Sequence, residues 1–105
     1  MEAKLLKDKI VTLLEDKKGG DITTIDMSAK SSITDYFVIT TGRNVNHVKT
    51  LAEETQDKLE AEGVFTLRKE GLSDGRWAVL DYGDVIVHIF NADTRDYFCL
   101  EKLWK

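Results

Sequence analysis

The chain has 105 residues, of which 42% are apolar and 32% are charged, and its net charge is −4. This length supports one domain over residues 1–105, and the acidic balance argues against a protein that grips nucleic-acid phosphates. A single cysteine, Cys99, cannot form an internal disulfide, and neither a signal-peptide core nor a membrane-spanning run of about 20 apolar residues occurs. We therefore expect a soluble, cytoplasmic protein with no membrane partner and no direct contact to a specific nucleic-acid sequence.

The first half of the chain predicts two helices and two strands. An apolar stripe at helical spacing indicates a first helix that ends at Gly19-Gly20; its members are Leu6, Ile10, Leu13 and Leu14. Residues 21–27 alternate as a short strand, 28–34 form a polar loop, and 36–40 are typical of a strand covered on both faces. A second helix is capped by Asn44 or Asn46 and ends at Gly63, with its stripe at Val48, Leu51, Ala52, Thr55 and Leu59.

After Gly63 the hydrophobic period changes to two. Three strands are predicted at residues 64–69, 76–81 and 84–90, followed by one or two helical turns within 91–105, capped by Asp93 or Thr94. The order α-β-β-α-β-β-β-α indicates an α/β or α+β fold with a mixed central sheet flanked by helices.

The hairpin around Gly83 allows its strand pairing to be predicted by counting. With Tyr82-Gly83 as a two-residue turn, Asp81 faces Asp84 and Trp77 faces His88. One face is then wholly aliphatic and should lie in the core: Ala78, Leu80, Val85, Val87 and Ile89. The opposite face carries Trp77, Val79, Asp81, Asp84, Ile86, His88 and Phe90. A slip of the turn by one residue would exchange the two faces.

The second face of this hairpin has two interpretations. In one, a helix covers it and His88 is a hydrogen-bonded core histidine. In the other, it is a partner-binding patch in which Trp77 and Phe90 are aromatic anchors and His88 supplies a polar group. A tryptophan beside a histidine, with two aspartates directly opposed, is unusual for an ordinary strand surface.

Other candidate chemistry is weakly supported by the sequence. Cys99, with His47 or His88 as base, has the residue types of a thiol nucleophile, but its apolar neighbours favour a small core residue. Asp35, Asp81 and Asp84 could hold magnesium at strand ends, although aspartates are common at turns and strand ends. Gly42, between a strand and a helix, resembles the start of a phosphate loop, but one glycine fits a tight turn better.

Five motifs follow one another along the whole chain. They are residues 35–42, Glu70-Gly71 with Trp77 six residues later, residues 80–90, Arg95-Asp96-Tyr97, and Leu100-Glu101-Lys102-Leu103-Trp104. In this order and spacing they resemble the ribosomal silencing factor family, also called the Iojap family. The candidate partner-binding residues that match its motifs are Glu70, Gly71, Trp77, Asp81, Asp84, His88, Phe90, Arg95 and Tyr97. Val79 and Ile86 join them because they surround Trp77 on the same predicted face.

The resemblance implies a factor that keeps ribosomal subunits apart. Family members bind the large ribosomal subunit at its protein fourteen, block joining of the small subunit and lower translation when nutrients are short. Relatives in organelles act in large-subunit assembly. The resemblance also implies a homodimer and a fold similar to that of nucleotidyltransferases. An acidic domain with an aromatic patch suits a basic ribosomal protein better than it suits RNA.

The fold kinship raises one enzyme alternative, a nucleotidyltransferase that uses magnesium and a nucleotide. Such enzymes need a Gly-Ser after the first core strand and an Asp-x-Asp on the next, because clustered carboxylates hold two metal ions. Here Arg43 follows Gly42, and no Asp-x-Asp occurs. We therefore expect no catalysis, no metal and no cofactor. A dimeric adaptor unrelated to ribosomes would explain the aromatic patch but not the motif series.

Overall fold

The computed structural model describes the backbone of residues 1–98 and the side chains of residues 1–95. It contains, in chain order, α1 (Ala3–Asp16), β1 (Gly20–Asp26), β2 (Tyr36–Gly42), α2 (Val45–Glu60), β3 (Arg68–Glu70), β4 (Trp77–Asp81), β5 (Val85–Asn91) and α3 (Ala92–Phe98). This order confirms the predicted α-β-β-α-β-β-β-α arrangement. Among the helices described, none is long and apolar enough to cross a membrane.

The five strands form one mixed sheet in the order β1-β2-β5-β4-β3. The central strands β2 and β5 run parallel, and the other described neighbours are antiparallel. Val38, Ile39 and Thr40 in β2 are all fully buried, which confirms that this strand is covered on both faces.

The two long helices cover one face of this sheet. Their apolar stripes pack on the aliphatic face of the hairpin, because a helix with one apolar side is stable only when that side is buried. The resulting core contains Leu6, Ile10, Leu14, Val38, Val48, Leu51, Ala52, Leu59, Ala78, Leu80, Val85, Val87 and Ile89. The predicted core face of the hairpin is therefore confirmed.

The ends of α1 and α3 differ from the predictions. After α1, the left-handed residue is Lys18 (φ 64°) rather than a glycine, and the Gly19 N–H closes the turn on the Leu14 carbonyl at 2.8 Å. Gly19 is required because its neighbours leave no room for a side chain: a Cβ there would lie 2.6 Å from Thr40 Oγ1. The cap of α3 is Asn91, not Asp93 or Thr94, because the Asn91 Oδ1 accepts from the Thr94 N–H at 3.1 Å.

The ends of α2 agree with the predictions. The Asn44 side chain accepts a hydrogen bond from the His47 N–H at 2.8 Å and so caps the first turn. After the last turn, Gly63 is left-handed, with φ 81°. The Val64 N–H then donates to the Leu59 carbonyl at 2.9 Å, which completes a glycine-ended helix terminus.

The predicted hairpin register is wrong by one turn position. Gly83-Asp84 forms the turn, because Gly83 takes a positive φ of 88° and the Tyr82 N–H donates to the Val85 carbonyl at 2.9 Å. Asp81 therefore faces Ile86 rather than Asp84, and Trp77 faces Phe90 rather than His88. This slip moves every pairing by two positions, an even number, so both faces keep their residues. The expectation that such a slip exchanges the faces is also wrong.

The predicted strand at residues 64–69 is largely wrong. The segment first reaches β4 at Leu67, whose N–H donates to the Asp81 carbonyl at 2.7 Å, and regular pairing covers only β3. Phe65 and Leu67, which produced the alternation, are 62% and 74% exposed. Their alternation therefore does not report a buried face.

Two left-handed glycines provide a matched test of the turn that precedes β4. At Gly63 a Cβ would meet nothing within 4 Å, whereas at Gly71 (φ 75°) it would lie 2.0 Å from the Trp77 carbonyl oxygen. We expect Gly63→Ala to lower the free energy of unfolding by about 1 kcal/mol, the left-handed penalty alone. Gly71→Ala should lose about 2–4 kcal/mol, since backbone overlap adds to that penalty. Urea unfolding of both variants measures the difference, and equal losses would show that the Gly71 turn relaxes freely.

Candidate functional site

The face of the sheet opposite α1 and α2 carries a second, smaller apolar cluster. Its buried members are Ile25, Met27, Ile39 and Phe90, and Phe37 and Trp77 pack against it. The Trp77 and Phe90 rings stack with centroids 5.0 Å apart, and Phe90 is fully buried. Phe90 is therefore a core residue in this structure rather than an exposed anchor, whereas Trp77 remains half-buried.

The Arg95 side chain links α3 to strands β1 and β2 through hydrogen bonds. It is buried and donates to the Asp21 carbonyl at 2.6 Å, to Thr41 Oγ1 at 2.7 Å and to Thr23 Oγ1 at 3.1 Å. These bonds give Arg95 a structural function away from the hairpin. A partner-binding function for Arg95 stays a prediction.

An open cleft of about 160 Å³ lies on the same face, between β3 and the middle of the sheet. Strand alternation and register place its lining side chains together, because Phe37 pairs with Ile86 and Glu70 pairs with Val79. The lining residues are Phe37, Arg68, Lys69, Glu70, Val79, Asp81, Ile86 and His88. The cleft has an apolar floor, formed by Phe37, Val79 and Ile86, and a charged rim. This composition is expected of a recognition surface.

His88 is the central polar residue of this cleft. It is only 7% exposed, and its Nδ1 accepts a hydrogen bond from the Trp77 Nε1–H at 3.0 Å. Burial lowers the pKa of His88 from 6.5 to about 4, so the ring is neutral at physiological pH. A neutral ring that accepts at Nδ1 carries its proton on Nε2.

The Nε2 atom of His88 is buried and has no hydrogen-bond partner among the described residues. An unpaired buried donor costs about 1–3 kcal/mol, and native proteins contain few of them. Beside it, the Phe37 ring meets the His88 ring edge to face at 4.8 Å. The histidine is therefore held in one tautomer by Trp77 while its other nitrogen stays unsatisfied.

Two charged residues on the rim of the cleft, Arg68 and Asp81, contact each other. Arg68 and Asp81 form an ion pair at 3.9 Å, and the Asp81 Oδ1 also accepts from the Gly83 N–H at 2.8 Å. Because Arg68 is 76% exposed, this pair contributes little stability. The hydrogen bond from the Gly83 N–H, rather than the ion pair, holds the Asp81 carboxylate against its own turn.

The predicted site residues divide into those inside the cleft and those outside it. Glu70, Val79, Asp81, Ile86 and His88 line it, and Trp77 borders it through His88. Gly71 forms the turn between β3 and β4, and Asp84 is exposed on the hairpin turn outside the lining. Tyr97 lies within α3, but its side chain is outside the described part of the chain, as are Cys99 and the terminal motif from Leu100 to Trp104.

Sequence reasoning missed Phe37 and Arg68 as cleft residues. The sequence predicts Phe37 in a strand covered on both faces, and only the parallel pairing of β2 with β5 places it beside Ile86. The sequence predicts Arg68 in a longer strand, and its pairing with Asp81 depends on the register of β3 against β4. Alternation within the Arg68-Lys69-Glu70 segment was the available signal, since it separates Lys69 from the other two.

The remaining chemical candidates receive no support from the described residues. Among them, no three His, Cys, Asp or Glu side chains gather as a metal site. His47 is held by backbone groups, with its Nδ1 accepting from the Arg43 N–H at 3.0 Å and its Nε2 2.9 Å from the Lys17 carbonyl. Gly42 permits close packing of β2 on α2, since a Cβ would lie 2.7 Å from Val48 Cγ2. This contact agrees with a tight turn.

Comparison with known proteins gives one consistent result. A family model described as "Ribosomal silencing factor during starvation" matches residues 1–105. The ribosomal silencing factor of Bacillus subtilis is 40% identical over 90 residues, covering 86% of this chain and 76% of the relative. A crystal structure of a Chromobacterium violaceum protein superposes with a TM-score of 0.96 at 38% identity, covering 99% of this chain and 87% of that one.

A more distant mouse relative is called "Mitochondrial assembly of ribosomal large subunit protein 1". It is 30% identical over 105 residues, and the match covers 97% of this chain but 46% of the mouse protein. Its name refers to the assembly of the large ribosomal subunit in mitochondria.

The buried neutral state of His88 predicts a pH dependence of stability. Its pKa is about 4 in the folded chain and 6.5 when unfolded, so the unfolded chain binds more protons between these values. The contribution of His88 to the free energy of unfolding should be fully present above pH 6.5 and should be lost as the pH falls towards 4. The slope is at most about 1.4 kcal/mol per pH unit. Asp26, whose pKa is lowered from 3.8 by hydrogen bonds from Ser28, titrates below this window. Urea unfolding of wild type and of the control variant His88→Gln, from pH 7 to 4.5, tests this pH dependence. If the free energy of unfolding changes with pH identically in both proteins, the prediction is wrong.

Proposed function

Because the chain belongs to the ribosomal silencing factor family, we propose that it binds the large ribosomal subunit through the cleft face of its sheet. The bound protein occupies the surface needed by the small subunit and so prevents the two from joining. This action represses translation under nutrient limitation. The contact on the large subunit is ribosomal protein fourteen, as the motif resemblance implies.

The observation that supports this proposal most strongly is the cleft beside the Trp77–His88 pair. Its apolar floor includes the half-buried side chains of Val79 and Ile86. A half-buried aromatic residue next to a concave apolar surface is the usual composition of the energetic centre of a protein interface. Within the described part of the chain, the opposite face of the sheet offers no comparable surface, because α1 and α2 cover its apolar core.

Charge also favours a protein partner of opposite sign. The net charge of −4 attracts a basic ribosomal protein and repels RNA phosphates at longer range. The structure's charged residues near the cleft are of both signs, so orientation within the interface depends on local pairs rather than on one charged patch.

The remaining features of the proposal rest on the length and composition of the chain and on the motif resemblance. The protein acts as one domain over residues 1–105, forms a homodimer and works in the cytoplasm, where its ribosomal partner is found. It is a regulator rather than an enzyme, in keeping with relatives named as silencing factors. The nucleotidyltransferase alternative has no additional observation in its favour.

Ribosome joining in a sucrose gradient tests this function. Purified protein in several-fold excess over separated subunits should sediment with free large subunits and reduce the yield of joined ribosomes, with no nucleotide added. The reason is direct competition for one face of the large subunit. Unchanged joining at that excess would show that the proposed function is wrong.

Two isoleucines provide a matched pair for locating the binding face. Ile86 lines the cleft, whereas Ile33 is 80% exposed in the β1–β2 loop and lies outside the cleft lining. Ile86→Ala should weaken binding to large subunits by about 5- to 30-fold, the effect of about 1–2 kcal/mol at an interface centre. Ile33→Ala should bind like wild type. Equal affinity of all three proteins in a co-sedimentation titration would show that the binding face lies elsewhere.

A further inference from the structure

The unsatisfied nitrogen of His88 indicates what kind of group the cleft receives. Trp77 occupies Nδ1 at 3.0 Å, so the neutral ring has one donor left, the Nε2–H. That donor is buried without a partner among the described residues, while the His88 ring forms part of the cleft lining. A group that enters the cleft and carries an acceptor oxygen would supply the missing hydrogen bond.

The charges around the cleft select a neutral acceptor over an ionised one. The cleft face carries one cation and two carboxylates, a net charge of −1: Arg68, Glu70 and Asp81. Lys69 points to the helix side instead, because it pairs with Leu80 of the core. Arg68 is already paired with Asp81, and Lys69 Nζ donates to Gln56 Oε1 at 3.4 Å. A phosphate or carboxylate entering this apolar floor would lose its hydration and would be repelled by the Glu70 and Asp81 carboxylates, while Arg68 is shared with Asp81.

We infer that His88 Nε2–H is a specificity-determining donor that binds an uncharged oxygen of the protein partner, a carbonyl, amide or hydroxyl oxygen flanked by apolar atoms. This inference rests on the proposed function and adds to it the chemistry of the group that the cleft recognises. The apolar atoms contact Val79 and Ile86, and the oxygen reaches the histidine as these half-buried side chains adjust. Trp77 acts as a positioning residue because it fixes the tautomer.

Two substitutions of His88 separate the donor from the ring. His88→Phe keeps an aromatic ring but has no donor, whereas His88→Gln keeps an amide N–H near the position of Nε2 and an oxygen that accepts from Trp77. In co-sedimentation with purified large subunits, we expect His88→Phe to bind about 5- to 10-fold more weakly and His88→Gln to recover most of that loss. Thermal melting of each variant controls for folding.

The outcomes distinguish failure of the inference from failure of the proposed function. If wild type does not bind large subunits, the proposed function is wrong and the inference falls with it. If wild type binds but a folded His88→Phe binds equally well, or both variants lose affinity equally, the inference alone is overturned. If all three proteins bind equally and their affinity falls steeply with salt, the contacts are to RNA phosphates, and this result would also overturn the inference.

A direct measurement covers the case in which His88→Phe does not fold. Wild-type protein labelled with ¹⁵N-histidine is titrated with purified ribosomal protein fourteen, and the His88 ring is followed by NMR. We expect a neutral Nε2–H tautomer in the free protein, with the Nε2 proton shifting downfield and exchanging more slowly in the complex. An unchanged Nε2 proton resonance at saturation, or a proton found on Nδ1 in the free protein, would overturn the inference.

Discussion

The central parallel pair, β2 and β5, must be covered on both faces, and α1 and α2 cover only one of them. A parallel pair without cover on its second face would expose apolar side chains to water. The chain covers this second face in parts, with a compact cluster around Ile39 and Phe90 and with α3 held by Arg95. The part that remains open is the cleft beside His88.

The partial covering of the second sheet face explains why a buried histidine is tolerated in the middle of the sheet. His88 lies directly across from Ile39 in β2, where an ionised ring would be strongly disfavoured, and burial keeps it neutral. The hydrogen bond from Trp77 satisfies one ring nitrogen and fixes which nitrogen carries the proton. A site with one satisfied and one unsatisfied nitrogen is less stable than an apolar core, and it is better suited to recognition.

Much of the fold was predictable from periodicity and counting. The order of elements, the aliphatic face of the hairpin and the Asn44 cap all follow from local pattern. The hairpin register was not predictable, because Gly83 can be the first or the second residue of a two-residue turn. The short β3 was missed because apolar residues in an exposed loop, Phe65 and Leu67, imitate strand alternation.

The site was predictable only in part, for a different physical reason. Alternation grouped Trp77, Val79, Ile86 and His88 correctly, since faces within one hairpin are a local property. The separation of Phe90 from that group and the addition of Phe37 both depend on the parallel neighbour β2, a long-range pairing. The function of Arg95 likewise depends on contacts more than 50 residues away in the sequence, at Thr41 and Thr23.

Side-chain footprinting by carbene labelling tests most directly which face of the sheet binds the ribosome. The protein is labelled alone and with saturating large subunits, and modification is mapped residue by residue. We expect protection at Trp77, Val79 and Ile86 on the cleft face, with the exposed Leu5 on α1 labelled equally in both samples. Protection on the outer surfaces of α1 and α2, with β4 and β5 labelled as in the free protein, would contradict it.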